Sequence, residues 1–398
     1  MSTQLVLLIA YFLPFLLVLR VMPVISAMGK RLNINEMSAM DSPVSVMGGM
    51  VVTAVVCATL LVLSAFVNLD KMFPAICMIV CLFIMGMLED SVRLHTGTKL
   101  VFEISVLLVI IFCGRFRIDD FCGLFGINQL NYAWSALVSL LSGLLIVNAV
   151  RMFNGIDGLL SGVTTFSSFA VGIWCTIQGQ IDFAVLSFVI SGSLLWMFVF
   201  STCSQRFKMY LGHSGALVIG VYMFLAFCMG PAMGTEEGRA FDPYFIGFLM
   251  SVFSAPLFDV IRVMFFRLIQ GRSPFAQDRA HIYYSYEDIG LSGPVVVLLM
   301  MLSSMFVTLV WFVTTKLGMD QVVQFWLIVL LGILLFWVPS MRHRQYFKYR
   351  TLQYQKYSIR AKRVSVALKP IFDKIAYFVD QVIYSRVERS VAEAEEKE

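Results

Sequence analysis

Between residues 147 and 159 the chain carries Asn148, Arg151, Asn154 and Asp157, with Gly155 and Gly158 bracketing the carboxylate. Long apolar runs lie on either side. Polar side chains crowded at the end of a membrane span are costly in lipid and usually face a cavity or water. Two glycines let the backbone turn tightly and come close to a ligand. The same residue types also suit a plain turn between helices, so the stretch gains meaning from its company. Three further clusters accompany it: Glu89 with Asp90, the segment from Arg206 to His213, and Asp259 with Arg272, Arg279 and His281. Carboxylates at the ends of different spans suit a hard divalent cation, which takes oxygen ligands and bridges phosphates. Arg and Lys beside them suit phosphate or pyrophosphate. Gly212-His213-Ser214-Gly215 is a glycine-flanked corner where a helix begins, and backbone N–H groups there attract anions. Together these residues read as a site for a phosphorylated substrate at a lipid interface.

The elements that must position them are membrane helices. Of 398 residues, 59% are hydrophobic and 14% charged, and the mean hydropathy is +0.83. A soluble domain is about 45–50% apolar and about 25% charged. Apolar runs at 5–19, 44–67, 72–88, 100–113, 133–147, 159–177, 183–200, 216–233, 244–263, 295–313 and 322–338 predict an all-α polytopic membrane protein of about eleven transmembrane helices. The runs are too long for barrel strands. Residues 1–340 read as one transmembrane domain. Residues 341–398 read as a tail that begins basic, with Tyr and Phe interleaved, and ends acidic. It suits either an amphipathic helix on anionic lipid or a solvated helix with a disordered acidic end. The first span lacks a cleavage site and reads as an anchor. Lys and Arg concentrate in alternate loops, which predicts an N-terminus outside and a cytoplasmic tail. That topology puts the four polar clusters on one face, under a long loop at 265–291. The eight cysteines are scattered and read as small apolar residues. The net charge of +5 suits a membrane surface and not nucleic acid.

Several ordered motifs then become recognisable. They are Met47-Gly48-Gly49, Gly86-Met87-Leu88-Glu89-Asp90, Lys99, the run 148–159, Tyr210-Leu211-Gly212-His213-Ser214-Gly215-Ala216, Pro256 with Asp259, and the run 271–284. In order and spacing over about residues 1–340 the chain resembles the polyprenyl-phosphate N-acetylhexosamine-1-phosphate transferases. The form of the last motif resembles the branch that primes surface polysaccharide. The resemblance implies a bacterial inner-membrane enzyme that moves N-acetylhexosamine 1-phosphate from a UDP-sugar to polyprenyl phosphate, with Mg²⁺ as cofactor. It implies Asp90, Asp157 and Glu89 as catalytic candidates, and Asp90, Asp157 and His213 at the metal position. Lys99, Asn148, Arg151, Asn154, Arg272, Arg279 and His281 are implied to hold lipid phosphate and nucleotide. A homodimer is a further expectation.

The departures from the family pattern fall on ionisable groups. Glu89 stands for an aspartate, Arg151 for an asparagine, Asn154 for an aspartate, and His213 for an aspartate that is a metal ligand in the family. Tyr283 and Tyr284 stand where the family has histidines. The site is thereby about three to four charge units more positive than the pattern. A neutral imidazole is a poor Mg²⁺ ligand compared with a carboxylate. Two rivals stay open: a non-catalytic homologue that binds polyprenyl phosphate, a nucleotide sugar or a partner protein, and a transporter or channel. The second leaves the ordered motifs unexplained.

Overall fold

The computed structural model describes residues 2–31, 36–37, 43–44, 47–69, 72–92, 95–114, 116–121, 123–127, 129–204, 206–232, 243–276, 278–341 and 352–395. Cys122 and the start of the basic tail, including Arg342, Arg344, Lys348 and Arg350, lie outside them. Apart from a pair of two-residue strands, the described elements are helical.

In chain order the helices are α1 (Thr3–Arg31), α2 (Gly48–Ser64), α3 (Phe73–Ser91), α4 (Thr96–Phe112), α5 (Tyr132–Phe153), α6 (Leu159–Ile177), α7 (Ile181–Thr202), α8 (Gly212–Ala232), α9 (Phe245–Val252), α10 (Ser254–Ile269), α11 (Ile282–Asp288), α12 (Gly293–Lys316), α13 (Gln321–Met341) and α14 (Leu352–Glu395). Among the described residues, eight helices are long and apolar enough to cross a membrane, or nine if the bent pair α9–α10 counts as one span. The eleven apolar runs all coincide with helices, but α2 and α4, at 17 residues each, fall short of that length.

The core gathers around α8. Of its most apolar 18 residues, 89% are buried, against 22% for α13. Helices α3, α5 and α2 pack on α8, while α7 packs on α6 and α1. The outward faces keep apolar side chains such as Leu8, Leu61, Val109 and Leu309 exposed, as a hydrocarbon solvent permits. Three glycines draw α2, α3 and α8 together at one end. A Cβ on Gly49 would overlap the backbone at Leu211 and Gly215, and one on Gly86 would overlap Ser214. Small residues of this kind let membrane helices approach closely.

The expected span 244–263 is not continuous. It breaks at Phe253, and α9 and α10 meet at 80°. Pro256 explains the break, since in an unbroken helix its ring would strike the carbonyl of Val252 and remove a hydrogen bond. The freed groups find serines on neighbouring helices. Ser167 Oγ donates to Val252 O at 2.6 Å, and Ala255 N donates to Ser304 Oγ at 3.3 Å. Backbone irregularity at membrane depth survives only when such partners exist.

The expected loop 265–291 is also more ordered than anticipated. Helix α10 continues to Ile269, and Gly271 ends it with φ +66°. Arg272 N then reaches back to Arg267 O at 2.9 Å, as in helix C-terminal caps with a left-handed glycine. Among the described residues, 270–276 and 278–281 are left as loop before α11. The tail helix α14 rests on this same end of the molecule. Ser365 Oγ accepts from Ser292 N at 3.0 Å, Ser204 Oγ donates to Asp380 at 2.6 Å, and Ala361, Ala376 and Val379 are buried.

Candidate active site

Helix α3 ends in Glu89 and Asp90, one turn beyond Gly86. Because Gly86 lets α3 touch Ser214, Asp90 reaches the start of α8. Its Oδ1 accepts from His213 N at 2.9 Å and its Oδ2 from Ser214 N at 3.1 Å. These are among the N–H groups that a helix start leaves without an intrahelical partner. A carboxylate there also meets the positive end of the helix dipole. Gly212, at φ +70°, turns the chain into α8 in a conformation few other residues adopt. The His213 ring returns to Asp90, with Nδ1 and Oδ1 at 3.0 Å, while its Nε2 lies 3.8 Å from Glu89 Oε1.

A second layer comes from α4 and α5. Glu89 accepts from Lys99 and lies 3.5 Å from Arg151 Nη1. Arg151 also donates to Glu103 at 3.1 Å and to the side-chain oxygen of Asn148. The Asn148 amide donates to the other Glu103 oxygen at 2.7 Å. Glu103 is a residue that the motif reading missed. It is 1% exposed on α4, and the available signal was a carboxylate inside an apolar run, which marks function by default.

The motif loop after α5 is fastened from three sides. Asn154 Nδ2 donates to Gly212 O at 3.1 Å, and Tyr210 donates its hydroxyl proton to Asn154 O at 2.5 Å. Tyr283 donates to Met152 O at 3.1 Å. Gly155 is needed beneath Tyr283, because a Cβ there would collide with the phenol. Asp157 pairs with Lys208 at 2.7 Å.

His281 belongs to a neighbouring network. Its Nδ1 lies 2.8 Å from Asp259 Oδ2, and Asp259 Oδ1 accepts from Arg262 at 2.7 Å and from Ile282 N at 3.0 Å. Arg262 goes on to Ser340 at 2.6 Å and Ala280 O at 2.8 Å. His281 is 3% exposed, so this network ties α10, α11 and α13 together. On the loop, Arg267 holds Asp278 at 2.7 Å. Burial works against the Asp278 charge, but the hydrogen bond and charge of Arg267 outweigh it and lower the carboxyl pKa. Burial raises the Glu287 carboxyl, and Arg279 offsets this only in part.

Of the residues expected from the sequence, Glu89, Asp90, Lys99, Asn148, Arg151 and His213 thus form one network. Asn154 and Asp157 border it through Gly212 and Lys208. Arg279 is exposed, stacks over Tyr284 at 4.6 Å and lies 3.8 Å from Glu287. Arg272 is exposed on the loop.

The fit to Mg²⁺ can be judged from these contacts. Both Asp90 oxygens accept from α8, Glu89 is held by Lys99 and Arg151, and Asp157 is held by Lys208. No group of three or more His, Cys, Asp and Glu among the described residues is arranged to hold a metal ion. A hard cation requires several free oxygens. The residues as arranged do not fit the ion that the resemblance implies.

Residues 72–230 match the sequence model of glycosyl transferase family 4. That range contains the whole Glu89–His213 network. Over that segment the chain is similar to this family. Its relatives include an undecaprenyl-phosphate alpha-N-acetylglucosaminyl 1-phosphate transferase of Escherichia coli K12, 25% identical over 63% of this chain and 67% of the relative. A protein of the same name from Yersinia pestis is 24% identical over 74% of this chain and 78% of its own length. A decaprenyl-phosphate N-acetylglucosaminephosphotransferase of Mycobacterium leprae is 29% identical over 54% of this chain and 58% of its own length. The chain is a multi-pass membrane protein by its apolar helices, and its site network lies within the matched segment.

Proposed function

We propose that this protein transfers N-acetylhexosamine 1-phosphate from a UDP-sugar to a polyprenyl phosphate. An oxygen of the lipid phosphate attacks the β-phosphorus. The bond from that phosphorus to the bridging oxygen breaks, and UMP leaves with the electron pair. The observation that carries the reading is the convergence of Lys99, Arg151, Lys208 and His213 at one end of the bundle, inside the matched segment. Fixed cations are suited to holding two anionic substrates together and to stabilising charge that moves to a leaving phosphate. The names of the relatives supply the sugar class and the lipid class. The Lys and Arg distribution supports an orientation with the site and tail on the cytoplasmic side, and the bacterial relatives support a bacterial inner-membrane location. Purified protein, polyprenyl phosphate and a panel of UDP-sugars, scored for released UMP, test the reading. UMP release that requires the lipid is expected, and none with any sugar would defeat it. Labelling of Arg272→Cys from outside the cell would overturn the orientation.

A second reading has its own observation. Each carboxylate of the network already has a partner within the protein, as suits a homologue that binds lipid or nucleotide sugar without turnover. Substrate binding without UMP release would favour it.

A further inference from the structure

The network is layered by charge. Glu89 and Glu103 lie beneath, with side chains 5% and 1% exposed, while Lys99, Arg151 and His213 lie nearer the opening at 18%, 17% and 35%. Buried carboxylates therefore hold three cationic or ionisable groups in place and turn them outward. Arg151 is gripped on two sides, through Nη1 by Glu89 and Glu103 and through Nη2 by Asn148. These bonds leave its Nε–H and one Nη2 proton to a ligand, from the five donors of a guanidinium. An incoming divalent cation would have to displace Lys99 or Arg151 from Glu89, Lys208 from Asp157, or the start of α8 from Asp90. Each change gives up an existing pairing and sets the dication against the displaced positive charge or the positive start of α8, which is unfavourable. Asn154 adds no anion, and its amide is committed to Gly212 O.

We propose that Lys99, Arg151 and His213 form a preorganised cradle for a phosphate ester or pyrophosphate, and that the cradle needs no divalent cation. Guanidinium and ammonium groups recognise phosphate oxygens directly, and donors already fixed by partners lose little freedom on binding. The proposal rests on the reading above that phosphorylated substrates enter this site, but it is tested by binding and not by turnover.

The test uses the full chain in detergent with inorganic pyrophosphate as probe, titrated calorimetrically with and without EDTA. Affinities that agree within about twofold are expected. Arg151→Gln and Lys99→Gln should each weaken binding by roughly tenfold, the scale of one charge-assisted hydrogen bond. A tenfold or greater loss in EDTA, or no binding under either condition, would overturn the cradle. A second arm titrates Mn²⁺ and follows the signal of the free ion by electron paramagnetic resonance. Wild-type protein should leave that signal undiminished, whereas Arg151→Asn combined with His213→Asp should take up Mn²⁺. Uptake by the wild type would overturn the proposal even if the double variant failed to fold. Pyrophosphate binding without UMP release would sink only the transfer reading. UMP release abolished by EDTA, with Mn²⁺ uptake, would sink only the metal-free cradle.

Discussion

Asn154 shows how a departure from a motif acquires a physical meaning. The family pattern has an aspartate there, yet in this chain the side-chain amide donates to Gly212 O at 3.1 Å. A carboxylate has no proton to donate and would face the carbonyl with like partial charge. Asn154→Asp, which restores the family residue, should therefore lower stability by about 1–3 kcal/mol. Thermal unfolding in detergent reads this out, and an unchanged or raised midpoint would contradict the contact. Asp278 gives a pH-dependent counterpart on the loop. Its folded pKa is lowered by Arg267, so the stabilisation is present above the ordinary carboxyl value of about 3.9 and is lost as pH falls through the lowered one. Asp278→Asn should speed trypsin cleavage of the loop at pH 7. In unfolding scans the difference from wild type should shrink as pH falls below about 4. A difference independent of pH would point to packing and not to the charge. Neither pairing was legible in the sequence. Asn154 was named as a ligand candidate from a motif, but its partner lies 58 positions away, and no spacing rule reaches that far.

At the scale of elements, each of the eleven apolar runs coincides with helix, whereas α11 lies inside the expected loop, and hydropathy fails where backbone chemistry intervenes. The run 244–263 is apolar throughout, so its periodicity hides the 80° break. In the sequence Pro256 stands out only within a motif, although its missing N–H and ring clash are what divide the span. Glycines were more informative. The early Gly48-Gly49 pair is a motif in the sequence, and in the structure Gly49 lies against the start of α8. Gly86 was only a motif letter, yet it sets the distance from α3 to α8 and thereby lets Asp90 cap α8. Gly86→Val should force the helices apart, with an overpacking cost of about 1–3 kcal/mol, and weaken pyrophosphate binding as His213 moves with α8. The control is Gly97→Ala, where a Cβ would make only ordinary contact with His95 and both readouts should stay near wild type. Equal loss in both variants would mean that the α3–α8 approach is not what positions the site.

Over the whole molecule, the long-range polar contacts concentrate at one end of the bundle, and α14 spans that end. In the sequence the tail stands apart from the spans by its charge density and suits either a lipid-bound amphipathic helix or a solvated one. The sequence could not reveal that the helix docks, since the docked residues are small or modest ones: Ala361, Ser365, Ala376 and Val379. Their spacings of four, eleven and three place them along one helical face. Ser365 meets Gly290 and Ser292 at the corner between α11 and α12, and Asp380 meets Ser204 beyond α7. The first corner follows α11, whose start is held by Asp259 and whose Tyr283 grips the end of α5 at Met152. A chain of direct contacts thus runs from the tail through α11 to the residues beside Arg151. Truncation before Leu352 should loosen α11 without touching the cationic cradle itself. Trypsin should then cut faster at Arg272 and Arg279, and the unfolding midpoint should fall. Pyrophosphate affinity should drop only modestly, because Glu89, Glu103 and Asn148 still hold the cations. Loss of pyrophosphate binding as complete as in Arg151→Gln would mean that the tail, and not the buried carboxylates, sets the geometry of the cradle.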